Sequence, residues 1–203
     1  MGIPKHKKFV MLHALDTPPS WAKGKSISAI VKEVTRWHVV DNGWSAVAYA
    51  KMIGPTGAVG NGRDLDEDGD VWEETGAGAR GWNKDGIHLA LAGGKNGNAD
   101  DQFTDHYTPK QEVALVKELR EIEALSGRKL VAVRNANDAR KLLSNQIGLL
   151  GHNQVANKAC PCFNVPNWWE SYQSRSAPVV PAKPAPDYSA FFAALRSIFR
   201  RKK

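Results

Sequence analysis

Phe9-Val10-Met11-Leu12-His13 and Ile147-Gly148-Leu149-Leu150-Gly151-His152 are two short apolar runs, each of which delivers a histidine at its exit. A brief apolar run bounded by polar residues is the pattern of a strand buried within a sheet that carries helices on its faces. Working outward from these two, Ile27, Ile30, Val31, Val34 and Trp37 follow a 3.6-residue spacing that predicts an amphipathic helix. Val47 to Ile53, the turn Gly54-Pro55-Thr56-Gly57, and Ala58-Val59-Gly60 read as strand, turn, strand. Ile87 to Ala92 is a further strand closed by Gly93-Gly94. Thr108-Pro109-Lys110-Gln111 opens a helix with a capping box and proline at its first position, and Gly127 closes it. Lys129 to Val133 predicts a short strand, and Asp138 to Ser144 a helical segment. No internal repeat is visible. Strands interleaved with helices predict a single α/β domain, a central mixed sheet flanked by helices.

Loops at strand ends collect chemistry in such folds. His13 and His152 both stand at strand ends, and Cys160 follows in Gly151-His152-Asn153-Gln154-Val155-Ala156-Asn157-Lys158-Ala159-Cys160-Pro161. Imidazole and thiolate suit a borderline-soft Zn²⁺, and three protein ligands leave one position open for water. Taken singly, His13 reads as a satisfied structural histidine and Cys160 as a small buried hydrophobe; it is their conjunction that points to a metal. Cys162 is read as packed beside the metal loop, because one intervening proline leaves little freedom to turn both sulfurs inward. His6, His38, His88 and His106 have no partner of suitable spacing and stay off the metal list.

Composition bounds the rest. The 203 residues can bury one good core, and two cysteines separated by one proline supply no long-range disulfide framework. The net charge is +7, but residues 173–203 hold seven basic residues against Asp187 alone, while residues 1–172 hold 21 basic and 20 acidic residues. The globular part thus lacks the basic excess that tracks a phosphate backbone, and no nucleic acid partner is expected. Residues 1–172 are read as the catalytic domain. Residues 173–186, with Pro178, Pro181, Pro184 and Pro186, read as an extended linker. In 187–203, Tyr188, Phe191, Phe192, Leu195, Ile198 and Phe199 line one helical face, and Arg196, Arg200, Arg201, Lys202 and Lys203 crowd the end. That basic amphipathic helix is read as seeking an anionic membrane or lipopolysaccharide, the alternatives being docking on the parent domain or a second subunit, or disorder. The basic N-terminus is followed by an apolar run ending at Leu12, too short for a secretory segment, and no stretch is long enough to span a bilayer.

Beyond these patterns the chain resembles the type 2 zinc-dependent N-acetylmuramoyl-L-alanine amidases, particularly the small amidase-type lysozymes of phages, whose fold is shared with peptidoglycan recognition proteins. The resemblance runs through most of residues 9–169. It is carried by Phe9-Val10-Met11-Leu12-His13, Arg36-Trp37-His38 with Gly43-Trp44, Val47-Ala48-Tyr49, Gly62-Arg63-Asp64, Gly81-Trp82-Asn83, Tyr107-Thr108-Pro109 and Lys158-Ala159-Cys160-Pro161, all in the family's order. It implies a zinc ion on His13, His152 and Cys160, and hydrolysis of the amide joining N-acetylmuramic acid to L-alanine in peptidoglycan. It further implies Lys158 as the stabiliser of the tetrahedral intermediate and Tyr49 as the residue that orients water or assists proton transfer. As an endolysin, such a protein would be made in the host cytoplasm and act on the wall from the periplasm. Alternatives with the same resemblance are a bacterial antagonistic amidase, a non-catalytic peptidoglycan-binding module, which the presence of Cys160 argues against, and an inhibitor of phage RNA polymerase.

Two departures stand out. Related amidases often carry a histidine a few residues before the Gly-Trp/Tyr-Asn element, where this chain has Gly78. Asp64, Asp66 and Asp68 followed by Gly69 match the opening of a calcium loop, yet its closing position is Thr75 rather than glutamate. The acidic loop is therefore read as either a Ca²⁺ site or a solvated acidic turn.

Overall fold

The computed structural model describes residues 2–176. The sequence from 177 on, including the amphipathic segment 187–203, lies outside the described residues. Six strands, β1 (Phe9–Ala14), β2 (Lys51–Ile53), β3 (Val59–Asn61), β4 (Gly86–Leu91), β5 (Lys129–Ala132) and β6 (Gln146–Gly151), form one sheet in the order β3-β2-β4-β1-β6-β5. All neighbours are parallel except the β2–β3 hairpin at one edge, so the sheet is mixed, as expected. Among the described residues no helix is long and apolar enough to cross a membrane.

Period-two alternation divides the sheet into two faces. Leu12 of β1, Leu89 of β4 and Leu149 of β6 pack with Leu115 and Ile122 of helix α3 (Pro109–Ser126) and with Trp169 of helix α5 (Val165–Ser176). On the opposite face, Phe9, Met11 and Leu150 meet Ala79 of the loop before β4, and Met52 and Ala90 meet Ile30 and Val34 of helix α1 (Ile27–Arg36). The next residues on that second face are His13 beyond Met11 and His152 beyond Leu150. β1 lies centrally, with Met11 in register with both His88 and Leu150. Two histidines at the carboxyl ends of adjacent parallel strands thus emerge side by side, the usual position of a ligand crevice in an open α/β sheet.

Local signals act as their chemistry dictates. The Thr108 hydroxyl accepts from the Gln111 N–H and the Gln111 side chain accepts from the Thr108 N–H, closing the capping box that starts α3. Gly127 ends that helix in the left-handed region at φ 62°. Leu115 on this helix is fully buried. Its replacement by alanine is expected to lower the unfolding free energy by about 2–5 kcal/mol, read by urea denaturation.

Five elements differ from the sequence expectation. The strand predicted from Val47 begins only at Lys51, because the preceding backbone divides its hydrogen bonds among separate segments: Ala50 N–H donates to the His88 carbonyl, while the Ala50, Tyr49 and Ala48 carbonyls accept from Gly62, Arg63 and Ala77. α1 continues beyond Arg36 as a wider turn over Trp37–Asp41. The helical segment expected at Asp138–Ser144 is a single turn, α4 (Ala136–Ala139), started by the Asn135 side chain accepting from the Asn137 and Asp138 N–H groups. Helix α2 (Phe103–His106) and helix α5 carry weaker signals. For α5 the signal is Val165, Trp168, Trp169 and Tyr172 at i, i+3, i+4 and i+7. The Trp168 indole donates to Glu112 at 2.8 Å and Trp169 is buried, so α5 runs through Ser176 into positions read as linker.

Candidate metal centre and cleft

β1 delivers His13 and β6 delivers His152, both buried, while the loop after β6 returns Cys160 between them. The loop is tied down by the Asn153 N–H donating to the Cys160 carbonyl at 2.7 Å and the Tyr107 hydroxyl donating to the Pro161 carbonyl at 2.8 Å. One ligand atom from each of His13, His152 and Cys160 lies within 4.8 Å of the other two. Cys160 Sγ stands 3.7 Å from His13 Nδ1 and accepts from the Ala14 N–H at 3.2 Å. Two ligands of a tetrahedral zinc, at about 2.0–2.1 Å for nitrogen and 2.3 Å for sulfur, are separated by roughly 3.5 Å. The donor set therefore fits a zinc ion without rearrangement of this pair.

Electrostatics support the same fit. Burial, then His88, His152 and Lys158, hold His13 well below the usual imidazole range, and burial followed by Lys158 lowers His152. Both rings are neutral, with nitrogen lone pairs available. Burial pushes the Cys160 thiol up to about 12. A thiolate at this depth requires a neighbouring cation to offset its desolvation.

These residues open onto a cleft of about 560 Å³ whose lining includes Trp44, Tyr49, Gly78, Lys95, Lys158 and Cys162. The Tyr49 ring lies 5.2 Å from the His13 ring, centroid to centroid, and its phenol is held above its ordinary pKa first by burial and then by Cys160. Lys158 is exposed at the cleft wall. Cys162 is buried outside the ligand group, its thiol donating to the Gly94 carbonyl at 3.0 Å.

Two of the histidines kept off the metal list stay outside the ligand group but make hydrogen bonds beside the cleft. His38 Nδ1 accepts from the Ala48 N–H at 3.1 Å, and its ring stacks on Trp44 at 4.7 Å, steadying the segment that carries Tyr49. His88 Nδ1 lies 2.9 Å from His13 Nε2. Spacing along the chain carries no trace of this contact; the register of β1 against β4 creates it. Asp64, Asp66 and Asp68 of the acidic loop do not form one group by themselves. Asp64 and Asp66 group with Glu74, whereas Asp66 and Asp68 group with Glu73, and Asp64 and Asp68 already accept from the Gly69 and Asp70 N–H groups.

No family model matches the sequence. In fold, the chain is similar to the N-acetylmuramoyl-L-alanine amidase LysC from Clostridium intestinale, with a TM-score of 0.52 and 19% identity over 86% of this chain and 89% of that one. It is also similar to the peptidoglycan recognition protein PGRP-SA of Apis mellifera, with a TM-score of 0.56 and 17% identity over 90% of each chain. The architecture is thus the one shared by amidases and peptidoglycan recognition proteins. In sequence, the endolysin of Escherichia phage T7 is 31% identical over 165 residues, covering 79% of this chain and 84% of that protein. The endolysin of Klebsiella phage KP32 is 29% identical over 140 residues, 69% of this chain and 74% of that protein. The chain belongs to the phage endolysin family, a family of peptidoglycan hydrolases.

Proposed function

We propose that this chain is a zinc-dependent N-acetylmuramoyl-L-alanine amidase that cleaves the amide between N-acetylmuramic acid and L-alanine of the stem peptide, lysing the host cell. The observation that carries this reading is the convergence of His13, His152 and Cys160, with tetrahedral-edge spacing between His13 Nδ1 and Cys160 Sγ, in a cleft that also presents Tyr49 and Lys158. A zinc ion bound there supplies a Lewis acid for the scissile carbonyl and lowers the pKa of water to about 7.

The remaining work falls to the chain's own groups. The neutral imidazoles of His13 and His152 hold the ion, and the Cys160 thiolate neutralises part of its charge. Lys158, carrying a charge on a flexible stem at the cleft wall, stabilises the oxyanion that develops as the amide carbonyl is attacked. The Tyr49 phenol, kept protonated by burial, orients the attacking water and relays the proton that the water loses to the leaving L-alanine nitrogen. The supporting experiment is digestion of purified peptidoglycan, scoring new L-alanine amino groups against new reducing sugar ends. Amines should appear, vanish with chelator and return with added zinc; reducing ends without amines would overturn the reading.

The basic amphipathic pattern of 187–203 supports a delivery role at an anionic membrane or lipopolysaccharide. Removing these residues should leave digestion of isolated sacculi intact and weaken lysis of whole cells. Equal lysis by the truncated chain would count against that role.

A further inference from the structure

His88 has no part in the cleft chemistry described so far, yet it is 1% exposed and sits in the middle of a parallel strand, with its Nε2 unpartnered, so that its Nδ1 carries the ring's one side-chain hydrogen bond. Its Nδ1 is 2.9 Å from Nε2 of His13, whose other nitrogen, Nδ1, faces Cys160 Sγ. Lys7 is buried, its ammonium donating to the Lys84 and Gly86 carbonyls on the far side of the same loop. A 2.9 Å contact between two ring nitrogens needs one proton between them, so one nitrogen donates and the other accepts.

The surrounding loop is shaped around that pair. A Cβ at Gly78 would stand 2.7 Å from His88 Nδ1 and 2.9 Å from His13 Nε2, directly over the hydrogen bond. A Cβ at Gly76 would stand 2.4 Å from His88 Cδ2, and one at Gly86 2.9 Å from His88 Nε2. Three glycines thus leave room for one imidazole at one orientation.

We propose that His88 is a positioning residue for the metal centre: its Nδ1 accepts the Nε2 proton of His13 and so commits His13 to the tautomer whose Nδ1 lone pair points at the ion. This rests on the zinc reading above. An orienting partner behind a ligating imidazole raises ligand basicity and fixes ring direction, and its loss typically weakens metal binding by about 10–100-fold. Asparagine at 88 would put an amide oxygen where Nδ1 now lies, keeping the acceptor; leucine would fill the volume without one.

The test has two parts. In the zinc-free wild-type chain, ¹⁵N NMR of the histidine rings should show His13 protonated at Nε2; protonation at Nδ1 would overturn the proposal with no variant needed. In zinc competition against a chromophoric chelator, H88L and G78A should bind about 10–100-fold more weakly than wild type, with H88N recovering most of the loss. Wild-type zinc affinity in both H88L and G78A would overturn the positioning role while leaving the zinc reading intact, whereas a wild-type chain that binds no zinc would remove both. If H88L fails to fold, G78A and H88N still decide the outcome, since G78A leaves His88 itself in place and H88N keeps an acceptor at the Nδ1 position.

Discussion

Replacing Cys160 with serine is expected to strip the zinc and slow release of L-alanine amino groups by about 10³-fold or more. Lewis-acid catalysis contributes several kcal/mol of transition-state stabilisation, and each 1.36 kcal/mol is tenfold in rate. The sulfur contributes in two ways. As a thiolate it neutralises part of the ion's charge, and as an acceptor it takes the Ala14 N–H at 3.2 Å. A serine hydroxyl can keep the second role but stays un-ionised, so the β1 end should remain in place while the soft anionic donor is lost. Metal content after gel filtration, set beside an unchanged circular dichroism spectrum, separates loss of zinc from loss of fold. Full zinc occupancy together with wild-type turnover in C160S would refute the ligand assignment.

Truncating Lys158 to alanine should cost about 10²–10³ in kcat, the usual effect of deleting one oxyanion stabiliser, and Y49F about 10²–10⁴ if the phenol moves a proton. Both variants should keep zinc. Lys158 is exposed and packs little surface, and phenylalanine preserves the Tyr49 ring against His13 at its 5.2 Å separation. Turnover that falls while metal stoichiometry holds at one ion per chain is the signature expected of residues facing the reacting amide. Parallel loss of zinc in either variant would mean instead that the residue holds the site together.

Much of this was legible in the chain itself. The apolar runs before His13 and His152 read as interior strands because a sheet covered on both sides imposes no polar alternation, and both form as such. The Thr108 capping box and Gly127 terminator mark α3, since both act through backbone groups a few residues away. The Val47–Ala50 segment misleads because, despite its β-forming side chains, its backbone hydrogen bonds go to three separate segments rather than to one neighbouring strand. α5 was hidden by the polar and proline-rich residues around it, although its tryptophans carry the helical period.

The sequence by itself determined the element types, the residues able to bind a metal and the uneven charge of the two parts of the chain, because each of these follows from side-chain chemistry or from bonding over a few residues. Only the tertiary structure decided which histidines meet. His13, His88 and His152 are 75 and 64 residues apart along the chain, and the order of β4, β1 and β6 with their parallel register places all three on one face. Strand order is chosen by burial of the whole sheet between its helices, a sum over many distant contacts that no local pattern encodes. That is why His88, unremarkable in the sequence, stands behind His13 in the fold.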